Sequence, residues 1–160
     1  MKRILIDLTK CRECDECQAL CEYYYHNNNR GVKNLIQKAV FLTTCRKCED
    51  APCVKSCPQE ALEKNKDNIL QKNNNLCISC KSCVIACPFG TLPDFLFEYL
   101  DSSCDFCNIS EGTDDLKCIK SCPKKAISLT EEEPSAEKHI YLIADRLLVK
   151  DYKWEEFVEK

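Results

Sequence analysis

The sequence has little glycine, with only Gly31, Gly90 and Gly112 among its 160 residues. These three glycines cannot form the motif G-x-G-x-x-G or the motif G-x-x-x-x-G-K-[ST], so the dinucleotide-binding fingerprint and the P-loop are absent. Long apolar runs are also missing, because stretches such as Tyr141–Ala144 are far shorter than the roughly 18–20 residues that span a bilayer. We therefore expect no site of either nucleotide class and no direct membrane insertion.

An export signal and a basic surface are missing as well. The N-terminal apolar stretch is broken by Asp7, too early for the apolar region of a secretory signal, so a cytoplasmic location is expected. A partner subunit that carries the signal for both chains is the alternative. The net charge of −3 divides into −4 for residues 131–160 and +1 for the residues before them. Neither part has the basic character of a nucleic-acid-binding protein, and no nucleic-acid partner is expected.

Cysteine, in contrast, is abundant at sixteen residues, and in a reducing compartment such density indicates metal binding before disulfides. The cysteines fall into four groups, and each group begins C-x2-C and ends C-x3-C. Proline follows the last cysteine of groups two, three and four, whereas Glu22 follows that of group one. The groups are Cys11, Cys14, Cys17, Cys21; Cys45, Cys48, Cys53, Cys57; Cys77, Cys80, Cys83, Cys87; and Cys104, Cys107, Cys118, Cys122.

The third group matches the bacterial ferredoxin run C-x2-C-x2-C-x3-C-P in full. Two-residue gaps let three thiolates on one loop reach three corners of an iron–sulfur cube. The fourth cysteine points to a different cube, and in two-cluster ferredoxins it serves the other cluster. Sixteen cysteines divide without remainder into four [4Fe–4S] sites. Zinc is the alternative, and group four, with ten residues between its two pairs, is where a different metal fits best.

The segments between the cysteines are short, which predicts a small, irregular α+β fold. Short strands are expected at the segments 3–8, 39–43, 69–72 and 127–129, and helical turns after each fourth cysteine, for example at Gln59–Glu63. A hairpin, or a strand followed by a helix, is expected within His139–Trp154. The triplets Asn27–Asn29 and Asn73–Asn75 are typical of surface turns. Since so little regular structure builds only a small apolar core, we expect folding to depend on metal.

The cysteine pattern resembles the four-cluster ferredoxin-type electron-transfer subunits that accompany molybdopterin or tungstopterin oxidoreductases, formate dehydrogenases, hydrogenases and carbon monoxide dehydrogenases. The resemblance covers residues 3–130. It is most specific in the group-two motif C-R-K-C-E-D-A-P-C-V-K-S-C-P, with A-P-C inside a widened gap, and the enlarged gap Asn108–Lys117 of group four also matches. The chain departs from the family in its short length and in having no obvious C-terminal membrane-anchoring helix.

The resemblance implies two nested bacterial-ferredoxin-like modules with two [4Fe–4S] clusters each. Residues 1–38 and 98–130 would form the outer module from groups one and four. Residues 39–97 would form the inserted module from groups two and three, and residues 131–160 an acidic extension that docks a partner. The implied ligand sets are Cys11, Cys14, Cys17 with Cys122; Cys104, Cys107, Cys118 with Cys21; Cys45, Cys48, Cys53 with Cys87; and Cys77, Cys80, Cys83 with Cys57.

The function implied by the resemblance is that of a non-catalytic electron relay between a catalytic redox subunit and another electron carrier. The catalytic partner would be a molybdopterin or tungstopterin enzyme, a hydrogenase or a similar protein. A free polyferredoxin and a zinc-dependent scaffold are the alternatives. No catalytic constellation is visible, because His26 and His139 are isolated and every cysteine is assigned to a cluster.

Several other side chains have a candidate role beside the clusters. Tyr23–Tyr25 could shield a cluster from water or simply pack, and Trp154 is a candidate interface anchor. Core packing is favoured over docking for the aromatic residues Phe89, Phe95, Phe97 and Tyr99. Acidic residues crowd the first motif, so the cluster on Cys11 is expected to have the lowest potential of the four.

Overall fold

A computed structural model describes residues 1–25, 30–98, 103–108 and 115–158. The described residues form a small mixed fold of short helices and strands, which agrees with the α+β prediction. The strands are β1 (Arg3–Asp7), β2 (Leu62–Lys64), β3 (Leu70–Lys72), β4 (Ile127–Thr130), β5 (Ile140–Ala144) and β6 (Leu147–Lys150). The α-helices are α1 (Leu8–Cys11), α2 (Arg30–Thr44), α3 (Pro52–Lys55), α4 (Ser82–Ala86), α5 (Lys117–Ser121) and α6 (Glu155–Val158). Short 3₁₀ turns occupy Asp94–Phe97 and Phe106–Asn108.

The chain divides into two compact units. Unit 1 consists of Met1–Ala39 and Ser103–Tyr152, and unit 2 of Val40–Ser102 and Lys153–Lys160. Cysteine groups one and four therefore lie in unit 1, and groups two and three lie in unit 2. The acidic C-terminal segment is shared, since its residues up to Tyr152 belong to unit 1 and the following ones to unit 2.

Unit 1 is built on a four-stranded sheet with the strand order β4-β1-β6-β5. Strand β1 pairs antiparallel with β4 and parallel with β6, and β5 and β6 form the hairpin predicted near the C-terminus. The apolar side chains of β6, Leu147, Leu148 and Val149, are completely buried, as expected for an inner strand. The C-terminal strands β5 and β6 therefore complete the sheet of unit 1.

Helix α2 corrects one of the strand predictions. Residues 39–43 were expected to be a strand, but they lie in the second half of this fifteen-residue helix. The buried residues Val32, Leu35, Ile36 and Ala39 are spaced i, i+3, i+4 and i+7, which is the periodicity of one helix face. A five-residue window beginning at Ala39 is too short to show that period. The strands predicted at 3–8, 69–72 and 127–129 are confirmed as β1, β3 and β4.

Unit 2 has less regular structure. Strands β2 and β3 form a two-stranded antiparallel hairpin with three residues in each strand. Phe41 and Phe97 are fully buried with ring centroids 5.8 Å apart, so Phe97 packs in the core as favoured. Phe89 and Phe95 are exposed instead, and Tyr99 lies outside the described residues.

The predicted position of the helical turns is wrong. Helices α3, α4 and α5 all include the third cysteine of a group and end at or before the fourth. The segment Gln59–Glu63 contains a turn that leads into β2, because Pro58 ends the helical path and Glu60 adopts a left-handed φ of 52°. The Asn73–Asn75 turn is confirmed by a 3.0 Å hydrogen bond from the Asn75 amide to Asn73 Oδ1, whereas Asn27–Asn29 and His26 fall outside the described residues.

Among the described residues, no helix combines the length and the apolar character needed to cross a membrane.

Candidate cluster-binding sites

The C-x2-C loops of groups two, three and four share one backbone feature. The residue before the second cysteine has a left-handed φ in each of them, 56° at Lys47, 60° at Ser79 and 63° at Phe106. This conformation is uncommon for residues other than glycine and bends the chain sharply. The bend directs amides at the first sulfur of groups three and four, with 3.4 Å from Ser79 N to Cys77 Sγ and from Phe106 N to Cys104 Sγ.

Group one is built differently. Helix α1 ends at Cys11, and the Cys14 amide donates to the Cys11 carbonyl at 3.2 Å. No residue between Cys11 and Cys21, a stretch that the structure describes completely, has a positive φ. The loop is instead fastened through a side chain, because both Nη atoms of Arg12 donate to the buried carboxylate of Asp151.

A second recurring turn follows the fourth cysteine where proline comes next. The residue three positions after the cysteine has a left-handed φ, 52° at Glu60, 61° at Gly90 and 50° at Lys125. The next residue then hydrogen-bonds to the sulfur in two of the three turns, with 3.3 Å from the Ala61 and Ala126 amides. In group three the Thr91 hydroxyl lies 3.4 Å from Cys87 Sγ. Sequence reasoning missed this role of the C-P-x-x-[AT] pattern, although the repeat is visible in the sequence.

In unit 1, the cysteines approach one another across groups one and four. Burial and, after it, the charges of the Cys17, Cys14 and Cys122 thiolates raise the pKa of Cys11 to about 11. The structure thus brings the last cysteine of group four to the first three cysteines of group one.

The second set of unit 1 has the reciprocal arrangement. Burial and, after it, the charges of Cys104, Cys107 and Cys21 raise the pKa of Cys118 to about 12. Cys21 also raises the pKa values of Cys104 and Cys107, after burial as the main cause. The last cysteine of group one therefore lies with the first three of group four.

Unit 2 repeats the crossed arrangement between groups two and three. Burial raises the pKa of Cys53, and Cys45 and Cys87 act in the same direction. A pocket in the same unit brings the remaining set together, since its lining includes four sulfur-bearing residues, Cys57, Cys77, Cys80 and Cys83.

These sets fit iron–sulfur clusters by their donor chemistry. Cysteine binds metal as the thiolate, yet burial and the charges of neighbouring thiolates raise the pKa of Cys11, Cys53, Cys83 and Cys118 and so favour their protonated thiols. A cationic centre among four cysteines removes that conflict, because it neutralises the thiolates that the protein buries. Among the described residues, which include all sixteen cysteines, no three His, Cys, Asp or Glu side chains are arranged to hold a single metal ion.

Two lysines of the β2–β3 hairpin reach cysteine sulfurs. Lys64 Nζ lies 3.3 Å from Cys45 Sγ and also donates to the Asn68 carbonyl at 3.2 Å. Burial lowers the pKa of Lys72, while the charge of Cys77 and a hydrogen bond to it act in the opposite direction. Both units thus surround sulfurs with hydrogen-bond donors, and in unit 2 the lysine contacts also bring a full positive charge to Cys45 and Cys77.

Trp154 has an internal role in unit 2 that the sequence did not reveal. Its indole Nε1 donates to the Cys45 carbonyl at 2.8 Å, and the Arg46 guanidinium lies 4.4 Å from the ring centroid. Lys47 pairs with Glu155, so two consecutive residues of the group-two loop contact the C-terminal segment. These contacts hold the loop that carries Cys45 and Cys48.

Tyr23 lies beside the group-four loop of unit 1. Its hydroxyl donates to Asp105 Oδ2 at 2.9 Å, and this bond raises the pKa of Tyr23 to about 12. Its ring stacks on Tyr25 with centroids 5.2 Å apart, whereas Tyr24 is almost fully exposed. Tyr23 therefore contacts the Cys104–Cys107 loop, and Tyr24 contributes little shielding.

Comparison with known proteins identifies the family. The model of a 4Fe–4S dicluster domain matches residues 36–132, more than half of the chain. The chain belongs to this ferredoxin-type 4Fe–4S electron-transfer family. It is 31% identical over 169 aligned positions to the electron transport protein HydN of Escherichia coli K12, covering 84% of this chain and 93% of HydN.

Two further members of the family are longer than this chain. The arsenate respiratory reductase iron–sulfur subunit ArrB of Shewanella sp. ANA-3 is 35% identical over 100 residues, which cover 56% of this chain and 43% of ArrB. AegA of Escherichia coli K12 is 32% identical over 148 residues, and the match spans 81% of this chain but only 22% of AegA. The 4Fe–4S family assigned to the sequence is therefore confirmed, and iron–sulfur clusters are its cofactors.

Proposed function

We propose that this chain is an electron-relay subunit that carries single electrons through four [4Fe–4S] clusters between a catalytic redox subunit and another electron carrier. When bound, the clusters supply one-electron redox centres. The observation that carries the proposal is the crossed grouping of the cysteines, in which the last cysteine of each group lies near earlier cysteines of another group.

The proposed ligand sets follow this grouping. In unit 1, Cys11, Cys14 and Cys17 bind with Cys122, and Cys104, Cys107 and Cys118 bind with Cys21. In unit 2, Cys45, Cys48 and Cys53 bind with Cys87, and Cys77, Cys80 and Cys83 bind with Cys57. The two units then correspond to an outer and an inserted ferredoxin-like module. The proposal leaves no thiol for catalysis, so the chain is a carrier and its partner performs the chemistry.

Metal analysis of the anaerobically purified chain tests the number and kind of centres. About sixteen irons with matching acid-labile sulfide per chain support four clusters. Zinc in place of iron would contradict the proposal and favour the scaffold alternative. The proximity of Cys21 to Cys104, Cys107 and Cys118 supports a cluster shared between groups one and four over zinc within group four alone.

The substitution Cys122→Ser tests the crossed assignment. We expect damage to the cluster on Cys11, Cys14 and Cys17, because Cys122 contributes to that set, and a smaller effect on the cluster of Cys104, Cys107 and Cys118. Electron paramagnetic resonance of the reduced protein measures which signal is lost. Selective loss of the group-four signal would show that the crossed assignment is wrong.

The names of two relatives support a redox partner, since HydN is an electron transport protein and ArrB an iron–sulfur subunit of a reductase. Co-purification in a fixed ratio with a catalytic subunit supports the relay, whereas elution alone favours a free polyferredoxin. We also propose that partner docking involves the end of the acidic segment, where Phe157 and Val158 are exposed.

The docking test has to leave the sheet of unit 1 intact. Removal of residues 139–160 would delete β5 and β6, so the informative deletion is 157–160. We expect this shorter chain to retain its iron and to lose the partner in a pull-down. Retention of both iron and partner would exclude the end of the segment as the docking site.

A further inference from the structure

The β2–β3 hairpin of unit 2 carries two lysines in equivalent positions. Lys64 ends β2 and Lys72 ends β3, and the antiparallel register pairs Lys64 with Leu70 and Leu62 with Lys72. The two lysines therefore lie at opposite ends of the hairpin. Each is partly buried, and each points toward a different set of proposed cluster ligands.

Lys64 lies beside the proposed ligand set that is completed by Cys87. Its ammonium lies 3.3 Å from Cys45 Sγ and 3.2 Å from the Asn68 carbonyl, which fixes its position. Its positive charge also acts on Cys53, another member of the same set. Asn68 in turn donates its side-chain amide to the Lys47 carbonyl, inside the group-two loop. The lysine is thus held at the loop by contacts on both sides.

Lys72 lies beside the proposed ligand set that is completed by Cys57. Its ammonium donates to Asn74 Oδ1 at 2.9 Å and lies 5.9 Å from the centroid of the Phe97 ring. It interacts with Cys77 and Cys83, and Phe97 lines the same pocket as those two cysteines. A buried amide oxygen and an aromatic face therefore position the charge beside the second set.

From this geometry we propose that Lys64 and Lys72 are positioning cations that raise the reduction potentials of the two clusters of unit 2, one lysine for each cluster. A cysteine sulfur bound to iron still accepts hydrogen bonds, and such bonds together with local charge set cluster potentials. Adding one electron to a cluster adds one negative charge, and a nearby ammonium stabilises the reduced form more than the oxidised form. Partial burial limits the screening of this interaction by water.

The inference rests on the proposed four-cluster function, and its test separates the two. The full-length chain is reconstituted anaerobically as wild type, Lys64→Gln, Lys72→Gln and the control Lys66→Gln, which removes an exposed lysine from the same hairpin. Iron and sulfide are measured first, and a wild-type chain without clusters would defeat the proposed function. The four midpoint potentials are then followed by electron paramagnetic resonance during a redox titration.

We expect Lys64→Gln to shift one midpoint potential downward and Lys72→Gln to shift a different one downward, while Lys66→Gln changes none. The double variant should show both shifts. The inference is overturned if the wild-type chain holds its clusters and neither glutamine variant differs from the control, or if both variants move the same signal.

A charge-conserving variant covers the case in which glutamine prevents cluster assembly. Lys64→Arg and Lys72→Arg keep the positive charge and the hydrogen-bond donors. If the glutamine variants lose iron, arginine variants with full iron and wild-type potentials support the proposal. Arginine variants with full iron whose potentials fall clearly below those of the wild type would contradict it, because the potential would then not follow the retained charge.

Discussion

The two units carry the same number of cysteines on very different frameworks. Unit 1 places groups one and four beside a four-stranded sheet whose inner strand β6 buries Leu147, Leu148 and Val149 completely. Unit 2 places groups two and three around a hairpin of two three-residue strands and a few buried aromatic and aliphatic side chains. The loops that hold the sulfurs are nevertheless alike in groups two, three and four.

Because similar loops occur on different frameworks, we infer that the cysteine loops, and not the surrounding framework, determine which metal centre binds. The framework decides instead how much of the stability comes from sources other than the metal. Unit 1 buries continuous apolar strands, whereas unit 2 has less secondary structure to retain once its sulfurs are no longer joined by iron. The two units should therefore respond differently to the same damage.

Removal of iron should produce the largest effect. In the chain stripped of metal by a chelator under anaerobic conditions, we expect the β2–β3 hairpin of unit 2 to lose its amide protection. The paired amides of β1 and β6 in unit 1 should keep a measurable part of theirs. Hydrogen exchange read by mass spectrometry measures both regions in one sample. Equal loss of protection in both units would show that the sheet of unit 1 also depends on metal.

A substitution in the inner strand of unit 1 should be next in size. Leu148 is fully buried, and its replacement by alanine should cost about 2–5 kcal/mol of unfolding free energy through lost burial and a residual cavity. Leu142, its paired residue on β5, is 46% exposed, so Leu142→Ala is the matched control with a smaller cost. Urea unfolding of the two variants gives the comparison, and equal costs would contradict the assigned burial.

The ion pair of the first motif should contribute an intermediate amount. The Asp151 side chain is 0% exposed and that of Arg12 is 59% exposed, so Arg12→Ala leaves a buried carboxylate without its partner. We expect the free energy of unfolding to fall by roughly 2 kcal/mol, which lies between the values typical of exposed and buried ion pairs. Weaker iron retention by the Cys11 cluster should accompany this loss.

Lys124→Ala is the control for that pair, because it breaks the exposed Lys124–Glu13 pair of the same unit. Its expected cost is below about 1 kcal/mol. Thermal unfolding and iron content are measured for both variants. If Lys124→Ala proved as damaging as Arg12→Ala, burial of Asp151 would not explain the difference.

Loss of the Lys47–Glu155 pair of unit 2 should have the smallest effect and lower the free energy of unfolding by about 0.2–1 kcal/mol. Burial acts to raise the pKa of Glu155, but the hydrogen bond and charge of Lys47 outweigh it and bring the pKa below 4.5. A carboxyl whose folded pKa is lowered stabilises the fold above its unfolded pKa, and that stabilisation is lost as the pH falls through the folded value. The difference in melting temperature between wild type and Glu155→Gln should therefore shrink below pH 4.5.

Asp50→Asn provides the control in the same unit, since the Asp50–Lys55 pair is exposed at both ends. We expect almost no change in melting temperature from this substitution near neutral pH. A difference for Glu155→Gln that stays constant across the pH range would mean that the Lys47 pair is not its source.

Much of the candidate site could be predicted from the sequence because cluster ligation depends on local spacing. The C-x2-C and C-x3-C intervals of all four groups, the proline after Cys57, Cys87 and Cys122, and the short strands β1, β3 and β4 are local features. The failures were also local in origin. The helical period of α2 extends beyond the window that suggested a strand at Ala39, and the turn after Pro58 depends on a left-handed residue that composition does not mark.

The sequence by itself determined the iron–sulfur family of this protein, because the spacing of cysteines along the chain limits which atoms can meet on one loop. Only the tertiary structure decided the long-range partners. The pairing of β6 with β1, the burial of Asp151 against Arg12 and the indole bond from Trp154 to the Cys45 carbonyl join residues more than a hundred positions apart. Such contacts depend on how apolar faces pack in three dimensions, and no short interval in the sequence encodes them.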